Sequence, residues 1–490
     1  MPRFPHTDPS SGRENTRREM SGSSQSGNDG SPRRLFLFDD NIRDVGGHFF
    51  ELATLLSQGA CQLGYEPILA THQAFADLDA IDPAIQCVPT FRTRRMIRWS
   101  LGVDGKSAQQ RDIDGRPVGG TLLQNLRSRA TDWMIAPAKS PSTMIRRWSE
   151  DFAGLLKSRP PRPCDSLLIN TGDDFAMLAI TRGLHLASIP HRQRVDVVFH
   201  FAIHDSQTLP PRQWARASAF AGQVNQCMQQ LSHHDVRLHA TTEALAGQLR
   251  QSGITEPINP IPYPTRQRPL ATGSRLAPLR IVMAGLPRAE KGRQAIHDLL
   301  LQIHEPLLKT NQFRVSMQMP AERWQPMVPT SLHADFERAM QQTKQQGTNG
   351  DAYPSTTETP STLEVMTENL TTADYHQWLD SADVGLFLYE PDRYVARCSG
   401  VLLEMMTRGI PVIVPDGCWL ADKVRQSHGD IGLIYQDRGE IPARLSELLL
   451  RLNEIRSRCV EHAKEISQMH DAVNTLRQIG LDTARQKAVA

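Results

Sequence analysis

The sequence lacks paired cysteines, a long apolar run and a strong net charge of either sign. Its seven cysteines are scattered, odd in number and form no CxxC pair. Such a pattern indicates neither a disulfide framework nor a zinc site, so the sequence predicts a cytoplasmic protein without a bound metal. No apolar stretch approaches the ~18 residues of a membrane-spanning helix. With a net charge of +2, composition does not indicate a nucleic-acid partner.

Length and composition describe an ordinary globular chain with more than one core. The chain has 490 residues, of which 39% are hydrophobic and 22% are charged. That length exceeds what one core usually organises and predicts two or three domains. Residues 1–33 are rich in Ser, Gly, Pro and Arg and have no apolar centre, so we expect a disordered N-terminal tail.

The first folded region, expected over residues 34–264, alternates strands with helices. A buried strand at 34–39 precedes Gly46-Gly47, an amphipathic helix at 48–63 and a second strand ending at 70. This βαβ pattern requires a parallel sheet. Further strands are expected at 166–170, 195–203 and 236–240.

A basic segment at about 91–149 interrupts the alternation and is interpreted as an insertion. It contains 12 Lys/Arg against 4 Asp/Glu, with helices expected at 122–136 and 142–156. Two interpretations stay open: a peripheral contact with the anionic inner face of a membrane, or a solvated basic surface.

A Pro-rich linker at 265–278 leads to a second βα series at 279–454. Its strands are expected at 279–284, 313–318, 383–389, 411–415 and 432–435, and a final helical segment follows at 455–490. The predicted fold class is therefore α/β, with two Rossmann-like domains facing across a cleft. In such sheets ligands bind beyond the carboxyl ends of the strands.

Two motifs in the second series favour an anion. Arg288 and Lys291 follow a strand and are three residues apart, so at a helix start they would share a face. Cations there oppose the helix dipole and favour a bound anion, although they are also compatible with a solvated surface. Ser399-Gly400-Val401 opens another helix, whose backbone N–H groups suit an anion, and Glu404 suits ribose hydroxyls.

The first series offers weaker motifs. Gly46-Gly47 is compatible with ligand approach or with a tight turn, and it is not the GxGxxG of dinucleotide sites. His204-Asp205 is expected at a strand's carboxyl end, whereas His200 falls within the strand and is interpreted as a core histidine. Thr171-Gly172-Asp173-Asp174 suits either binding or turn formation.

Together these residues resemble the GT-B fold glycosyltransferases, particularly the family 4 group of retaining enzymes. The resemblance covers roughly residues 34–70 and 195–440. It implies that Arg288, Lys291 and the N–H groups of Ser399 to Val401 hold the donor's diphosphate. It also implies that Glu404 holds the ribose, that Gly47 keeps backbone close to a substrate, and that His204 is catalytic near the transferred sugar.

The resemblance has one departure, at Ala396. The family carries a glutamate eight residues before the equivalent of Glu404, and that glutamate contacts the transferred sugar. Here the position is Ala396. Glu390 or Asp392 are candidates to substitute for it, and Arg397 is a candidate phosphate contact.

The resemblance implies transfer of a sugar from a nucleotide-diphosphate sugar to a hydroxyl of an unidentified saccharide or glycolipid. Retention at the anomeric carbon is expected, with neither a metal nor a cofactor. The alternatives are a non-catalytic nucleotide-sugar-binding protein and a GT-B epimerase or phosphorylase.

Overall fold

The computed structural model describes residues 32–94, 140–271, 278–349, 362–367 and 370–482. From Arg33 onward the chain forms a single unit. It contains two parallel sheets, and the strands and helices around each sheet are called the first half and the second half.

The first half is built on a seven-stranded parallel sheet of order β3-β2-β1-β4-β5-β6-β7. Its strands are β1 (Arg34–Phe38), β2 (Glu66–His72), β3 (Gln86–Phe91), β4 (Ser166–Gly172), β5 (Arg194–Phe199), β6 (Asp235–Ala240) and β7 (Ile258–Pro260). Its helices are α1 (Gly47–Gln62), α2 (Pro141–Ser158), α3 (Asp174–Ala187), α4 (Trp214–Gln230) and α5 (Glu243–Gln251).

The second half is built on a six-stranded parallel sheet of order β10-β9-β8-β11-β12-β13. Its strands are β8 (Leu279–Met283), β9 (Phe313–Gln318), β10 (Leu363–Met366), β11 (Val384–Leu386), β12 (Val412–Pro415) and β13 (Gly432–Tyr435). Its helices are α6 (Ile296–Ile303), α7 (His333–Asn349), α8 (Thr372–Asp380), α9 (Gly400–Thr407), α10 (Trp419–Gln426) and α11 (Ile441–Met469). The predicted fold class, two Rossmann-like α/β halves, is confirmed.

Helix α2 belongs to the core of the first half, although its first turns fall within the segment, about 91–149, that the sequence analysis interprets as an insertion. Trp148 is fully buried, with its ring 4.6 Å from Phe91 and 5.3 Å from Phe152. The sequence analysis does not predict strand β3, which contains Pro89. The strand lies at the edge of the sheet, where a proline does not interrupt the hydrogen bonds of a central strand. Residues 95–139, including the helix expected at 122–136, lie outside the described residues.

The C-terminal segment contacts both halves. Helix α11 packs Leu445 and Ile455 into the core of the second half and runs unbroken across the boundary predicted at 455. The final helix, α12 (Ala472–Ile479), packs on α1, where Gly59 allows a close approach: a Cβ there would lie 3.0 Å from Ala472. None of the helices in the described ranges combines the length and apolar character needed to cross a bilayer.

Candidate functional site

A cavity of about 520 Å³ lies where the carboxyl ends of the two sheets meet. Residues at or shortly after strand ends of both halves line it: Thr171, His200, Thr241, Gly285, Gln318 and Tyr389. This is the position at which open parallel sheets bind ligands.

Two helix N-termini open into the cavity. Helix α1 follows Gly46 and begins at Gly47, and the φ angles of these glycines, 99° and 74°, lie in the left-handed region that favours glycine. Helix α9 follows Ser399, whose Oγ accepts a hydrogen bond of 3.3 Å from the Leu402 N–H. The N–H groups of the first turn have no partner within the helix, so both ends favour an anion.

The cavity brings together seven of the eight residues predicted for the site. The lining residues from that set are Gly47, Arg288, Lys291, Ser399, Gly400, Val401 and Glu404. Segments separated by more than 300 residues therefore face one space. The exception is His204.

Lys291 is a half-buried cation that lines the cavity. Its Nζ lies 5.5 Å from the centre of the Tyr389 ring, and a Cβ on Gly285 would overlap with that nitrogen. Burial lowers the pKa of Lys291 from its ordinary value, since charge is less stable away from water. No ion pair of Lys291 occurs within the described residues, so the site presents a desolvated cation to the cavity.

Arg288 and Lys291 do not share the first turn of an α-helix, contrary to prediction. They lie at a 3-10 turn (Ala289–Lys291) that ends at Gly292, and α6 begins only at Ile296. Gly292 has a φ of 77°, and a Cβ there would overlap with the backbone carbonyl of Leu388. Close approach of the two chain segments therefore replaces the predicted helix start with a left-handed bend.

We expect Gly292→Ala to destabilise the fold by about 3 kcal/mol, because left-handed strain adds to a backbone overlap. Gly417→Ala is the matched control, with a φ of 72° and no atom within 4 Å of the added Cβ. It should lose only about 1 kcal/mol. Urea denaturation of the two variants measures the difference, and equal losses would contradict the overlap.

Glu404 is enclosed and already holds one partner. Its Oε2 accepts a hydrogen bond of 2.8 Å from the Tyr375 hydroxyl. Burial raises the pKa of Glu404, while Tyr375 and then Arg408 act in the opposite direction. Arg408 is fully buried and donates to the Glu404 carbonyl at 2.8 Å, which holds this turn of α9 in place.

Arg397 adds a third cation next to Arg288 and Lys291. Its guanidinium lies near two rings, 5.6 Å from the centre of Phe201 and 5.3 Å from that of Tyr394. Phe201 belongs to the first half and Tyr394 to the second, so sequence spacing alone carries no sign of this arrangement.

The pKa of His48 depends on its burial in the cleft and on the positive charges of this region. Part of it is open to solvent, but it lies within the cleft with protein on most sides. This burial, followed by the charges of Arg397, His200, Arg288 and Lys291, lowers the pKa of His48 to about 3. His48 is therefore neutral at physiological pH, first because of its position within the cleft and second because of the neighbouring positive charges.

His204 lies away from the cavity, which corrects the predicted position of the catalytic histidine. Strand β5 ends at Phe199 rather than at Ile203, and the following turn buries His204 to 2% exposure. Gln248 holds this turn, donating to the His204 carbonyl at 3.0 Å and to the Ser206 carbonyl at 3.1 Å. The apolar residues after Phe199 imitate a longer strand.

His200, interpreted as a core histidine, lines the cavity instead. It directly follows β5, and its Nε2 lies 2.5 Å from the Asn170 carbonyl oxygen. Because a carbonyl oxygen only accepts, Nε2 carries the proton in the neutral ring and Nδ1 is its acceptor nitrogen. The edge of the ring meets Tyr263 at a centroid distance of 6.0 Å.

The motif at residues 171–174 was expected either to bind a ligand or to form a turn, and Thr171 and Asp173 differ in this respect. Thr171 lines the cavity, whereas Asp173 caps α3 by accepting a hydrogen bond of 2.6 Å from the Ala176 N–H. The motif thus combines a lining residue with turn formation.

The segment around Ala396 is docked on the first half. Ala396 is fully buried in the first half's core, and its carbonyl accepts a hydrogen bond of 2.7 Å from Thr242 Oγ1. Glu390 pairs with Arg438 at 2.6 Å, and Asp392 lies in a separate groove beside Asp205. Neither candidate substitute lines the cavity.

Glu51, from α1, is the other carboxylate lining the cavity within the described residues. Arg266 donates to both of its oxygens, at 2.7 and 3.0 Å, and His376 lies 3.8 Å away. Burial acts against ionisation, but His376 and Arg266 lower the pKa of Glu51 to about 2. Over the described ranges, no group of three His, Cys, Asp or Glu has the arrangement of a metal site.

The comparisons with known proteins identify the fold. No family model and no curated protein matches the sequence. Solved structures match across 91% of this chain, including sucrose-phosphate synthase from Thermosynechococcus elongatus, at 13% identity, 97% coverage of that chain and a TM-score of 0.54. Trehalose-6-phosphate synthase (OtsA) matches at 13% identity, 97% coverage and a TM-score of 0.53. Anabaena HepE in complex with UDP matches at 13% identity, 98% coverage and a TM-score of 0.51. The chain has the two-domain GT-B fold, as the sequence predicts.

Proposed function

We propose that this protein transfers a sugar from a nucleoside-diphosphate sugar to an acceptor hydroxyl. One observation carries the proposal: Arg288, Lys291 and the N-terminus of α9 converge with Glu404 in one cavity between the sheets. Such a set matches a diphosphate next to a ribose. The proposal agrees with HepE, a protein of similar fold described in complex with UDP and with UDP-glucose.

The cations and the helix end supply the chemistry that the reaction needs most. When the glycosidic bond to the diphosphate breaks, negative charge develops on the departing phosphate oxygen. Positive groups that are already in position stabilise this charge without reorganising, and partial exclusion of water strengthens the effect. We assign this role to Lys291, Arg288 and the N–H groups of Ser399 to Val401. We also propose that turnover retains the anomeric configuration and persists in EDTA.

Glu404 is assigned to the ribose. One of its oxygens accepts from Tyr375, and the other is the acceptor that we propose for a ribose hydroxyl. Gly47 keeps the N-terminus of α1 near the sugar or the acceptor, where a side chain would take up space.

We propose His200, rather than His204, as the histidine that acts on the sugar. His200→Ala should lower the transfer rate by about a hundredfold with little change in thermal stability, because the residue lines the cavity. His204→Ala is the matched control: it should lower the melting temperature and leave the rate of the folded protein unchanged. Rate assays and thermal melts on both variants test this, and the reverse pattern would contradict it.

A screen of nucleotide sugars tests the function itself. Thermal shift with UDP-, GDP- and ADP-linked sugars identifies the donor, since a ligand bound to the folded state raises its apparent stability. The donor that binds is then tested with candidate saccharide and glycolipid acceptors for release of nucleoside diphosphate. Absence of binding by every donor would overturn the proposal.

A non-catalytic nucleotide-sugar-binding protein is the second candidate. Ala396 favours it, because this side chain is buried in the first half's core and supplies no group to the cavity. Donor binding without release of nucleoside diphosphate, with every acceptor tested, would favour binding over transfer.

The predicted membrane contact of residues 91–149 stays a prediction, since residues 95–139 lie outside the described residues. The cytoplasmic location and the class of acceptor are likewise proposals.

A further inference from the structure

We propose that the cavity binds a second oxyanion in addition to the diphosphate, at Arg397, and that a substrate carries it. The group is a carboxylate on the transferred sugar or a phosphate on the acceptor. This inference rests on the proposed function and narrows its substrate class.

Arg397 is oriented for a ligand rather than for a protein partner. Two aromatic rings lie near its guanidinium, and no ion pair of this side chain occurs in the part of the chain that the structure describes. With no ion pair to hold them among the described residues, the N–H groups along the edge of the guanidinium are available to a ligand. That edge matches the two oxygens of a carboxylate or phosphate.

The position of Arg397 separates it from the groups assigned to the nucleotide. Arg288, Lys291 and Glu404 belong to the second half, whereas Arg397 lies against Phe201 of the first half. Burial first, and then the charge of Arg397 ahead of the other cations, lowers the pKa of His48, which lines the same cavity. In the proposed binding mode, the sugar is the part of the donor that extends beyond the diphosphate toward the first half, and the acceptor binds next to that sugar.

The charges in this part of the cavity leave Arg397 without a counterpart. A diphosphate carries about two negative charges, and the groups assigned to it are Lys291, Arg288, which lies 4.0 Å from Glu290, and the N-terminus of α9. The two lining carboxylates do not serve Arg397: Glu51 is paired with Arg266, and Glu404 holds Tyr375 next to Arg408. A guanidinium that lines a cavity is stabilised by an oxyanion at its edge.

The first test uses inorganic phosphate as the probe, on protein saturated with the nucleoside diphosphate that binds in the donor screen. Phosphate should bind the wild type, and Arg397→Met should weaken it by about ten- to a hundredfold. The affinity for the nucleoside diphosphate alone should change by less than about twofold. The phosphate affinity of Arg397→Lys should fall between that of the wild type and that of Arg397→Met. Arg393→Met, in the same segment but paired with Asp205, controls for disturbance of the loop and should behave as wild type.

Two further arms distinguish the sources. One arm compares the affinity for UDP-glucuronate with that for UDP-glucose, or for the equivalent donors of the nucleotide that binds, and tests a carboxylate on the sugar. The other arm compares the affinity for glucose 6-phosphate with that for glucose on nucleotide-saturated protein, and tests a phosphate on the acceptor. The wild type should prefer the charged ligand in one arm, and Arg397→Met should abolish that preference.

Three results overturn this inference while leaving the proposed function intact. They are no phosphate binding by the wild type, equal binding by Arg397→Met, or a loss of nucleoside-diphosphate affinity in Arg397→Met as large as the loss of phosphate affinity. Absence of nucleotide binding altogether would instead overturn the proposed function.

Discussion

Replacing Lys291 with methionine should lower the affinity for the nucleoside diphosphate by about a hundredfold, because a charge-assisted contact in a water-poor site contributes about 1.5–3 kcal/mol. The ammonium group faces the cavity 5.5 Å from the centre of the Tyr389 ring, and partial burial, which lowers its pKa, has removed part of its hydration. Without a ligand this desolvation is uncompensated, and a diphosphate supplies the missing charge. Methionine keeps the length and apolar contacts of the side chain. Isothermal titration with the nucleoside diphosphate measures the loss.

Lys309→Met is the matched control for Lys291→Met. Lys309 lies in the same half, is exposed, and pairs with Glu305 at 2.6 Å, so its removal should leave nucleotide affinity unchanged. If turnover of Lys291→Met at saturating donor is also lower than that of the wild type, Lys291 stabilises the charge that develops on the leaving diphosphate. Only interactions that strengthen in the transition state change the rate of the chemical step. Equal affinity in wild type and Lys291→Met would exclude Lys291 from the site.

Ala396→Glu, which introduces the glutamate that the resembling family carries, should destabilise the protein by about 4 kcal/mol rather than improve activity. Ala396 has no exposed surface, packs in the first half's core and holds Thr242 through its carbonyl. A longer side chain overfills that core, and a carboxylate there has to be desolvated. Chemical denaturation at pH 7 measures the loss.

Ala396→Gln separates volume from charge. It is almost isosteric with glutamate and should lose only about 2 kcal/mol. Burial raises the pKa of an introduced carboxyl, so the charge penalty is present above that pKa and disappears as pH falls. The Glu variant should therefore approach the Gln variant near the ordinary glutamate pKa of about 4.3. A Glu variant as stable as wild type at pH 7 would show that the segment can leave the first half.

Sequence reasoning reached most of the strands and most of the residues that line the cavity, because both depend on local patterns. The strands Phe313–Gln318 and Gly432–Tyr435 have the predicted bounds, since continuous apolar runs between polar turns identify buried parallel strands. Gly400 and Glu404 are one helical turn apart, so their shared approach to a ligand follows from helix geometry.

Where local patterns are ambiguous, the predictions were wrong. The apolar residues after Phe199 extend the strand pattern, and only the contacts of Gln248 show that the chain has already turned. Arg288 and Lys291 were expected on a helix, but the nearby Leu388 carbonyl forces a left-handed bend at Gly292. In both places a partner distant in sequence overrides a local preference.

By itself the sequence determined two α/β halves and a parallel arrangement in each, and it predicted that Lys291 and the Ser399 helix start bind an anion. These properties follow from hydrophobic periodicity and from the chemistry of single side chains. Only the tertiary structure decided that His200 rather than His204 lines the cavity, that Ala396 lies in the opposite half's core, and that Arg397 lies near Phe201 and Tyr394. Each of these depends on where segments far apart in the chain meet, and packing between the two halves sets that arrangement.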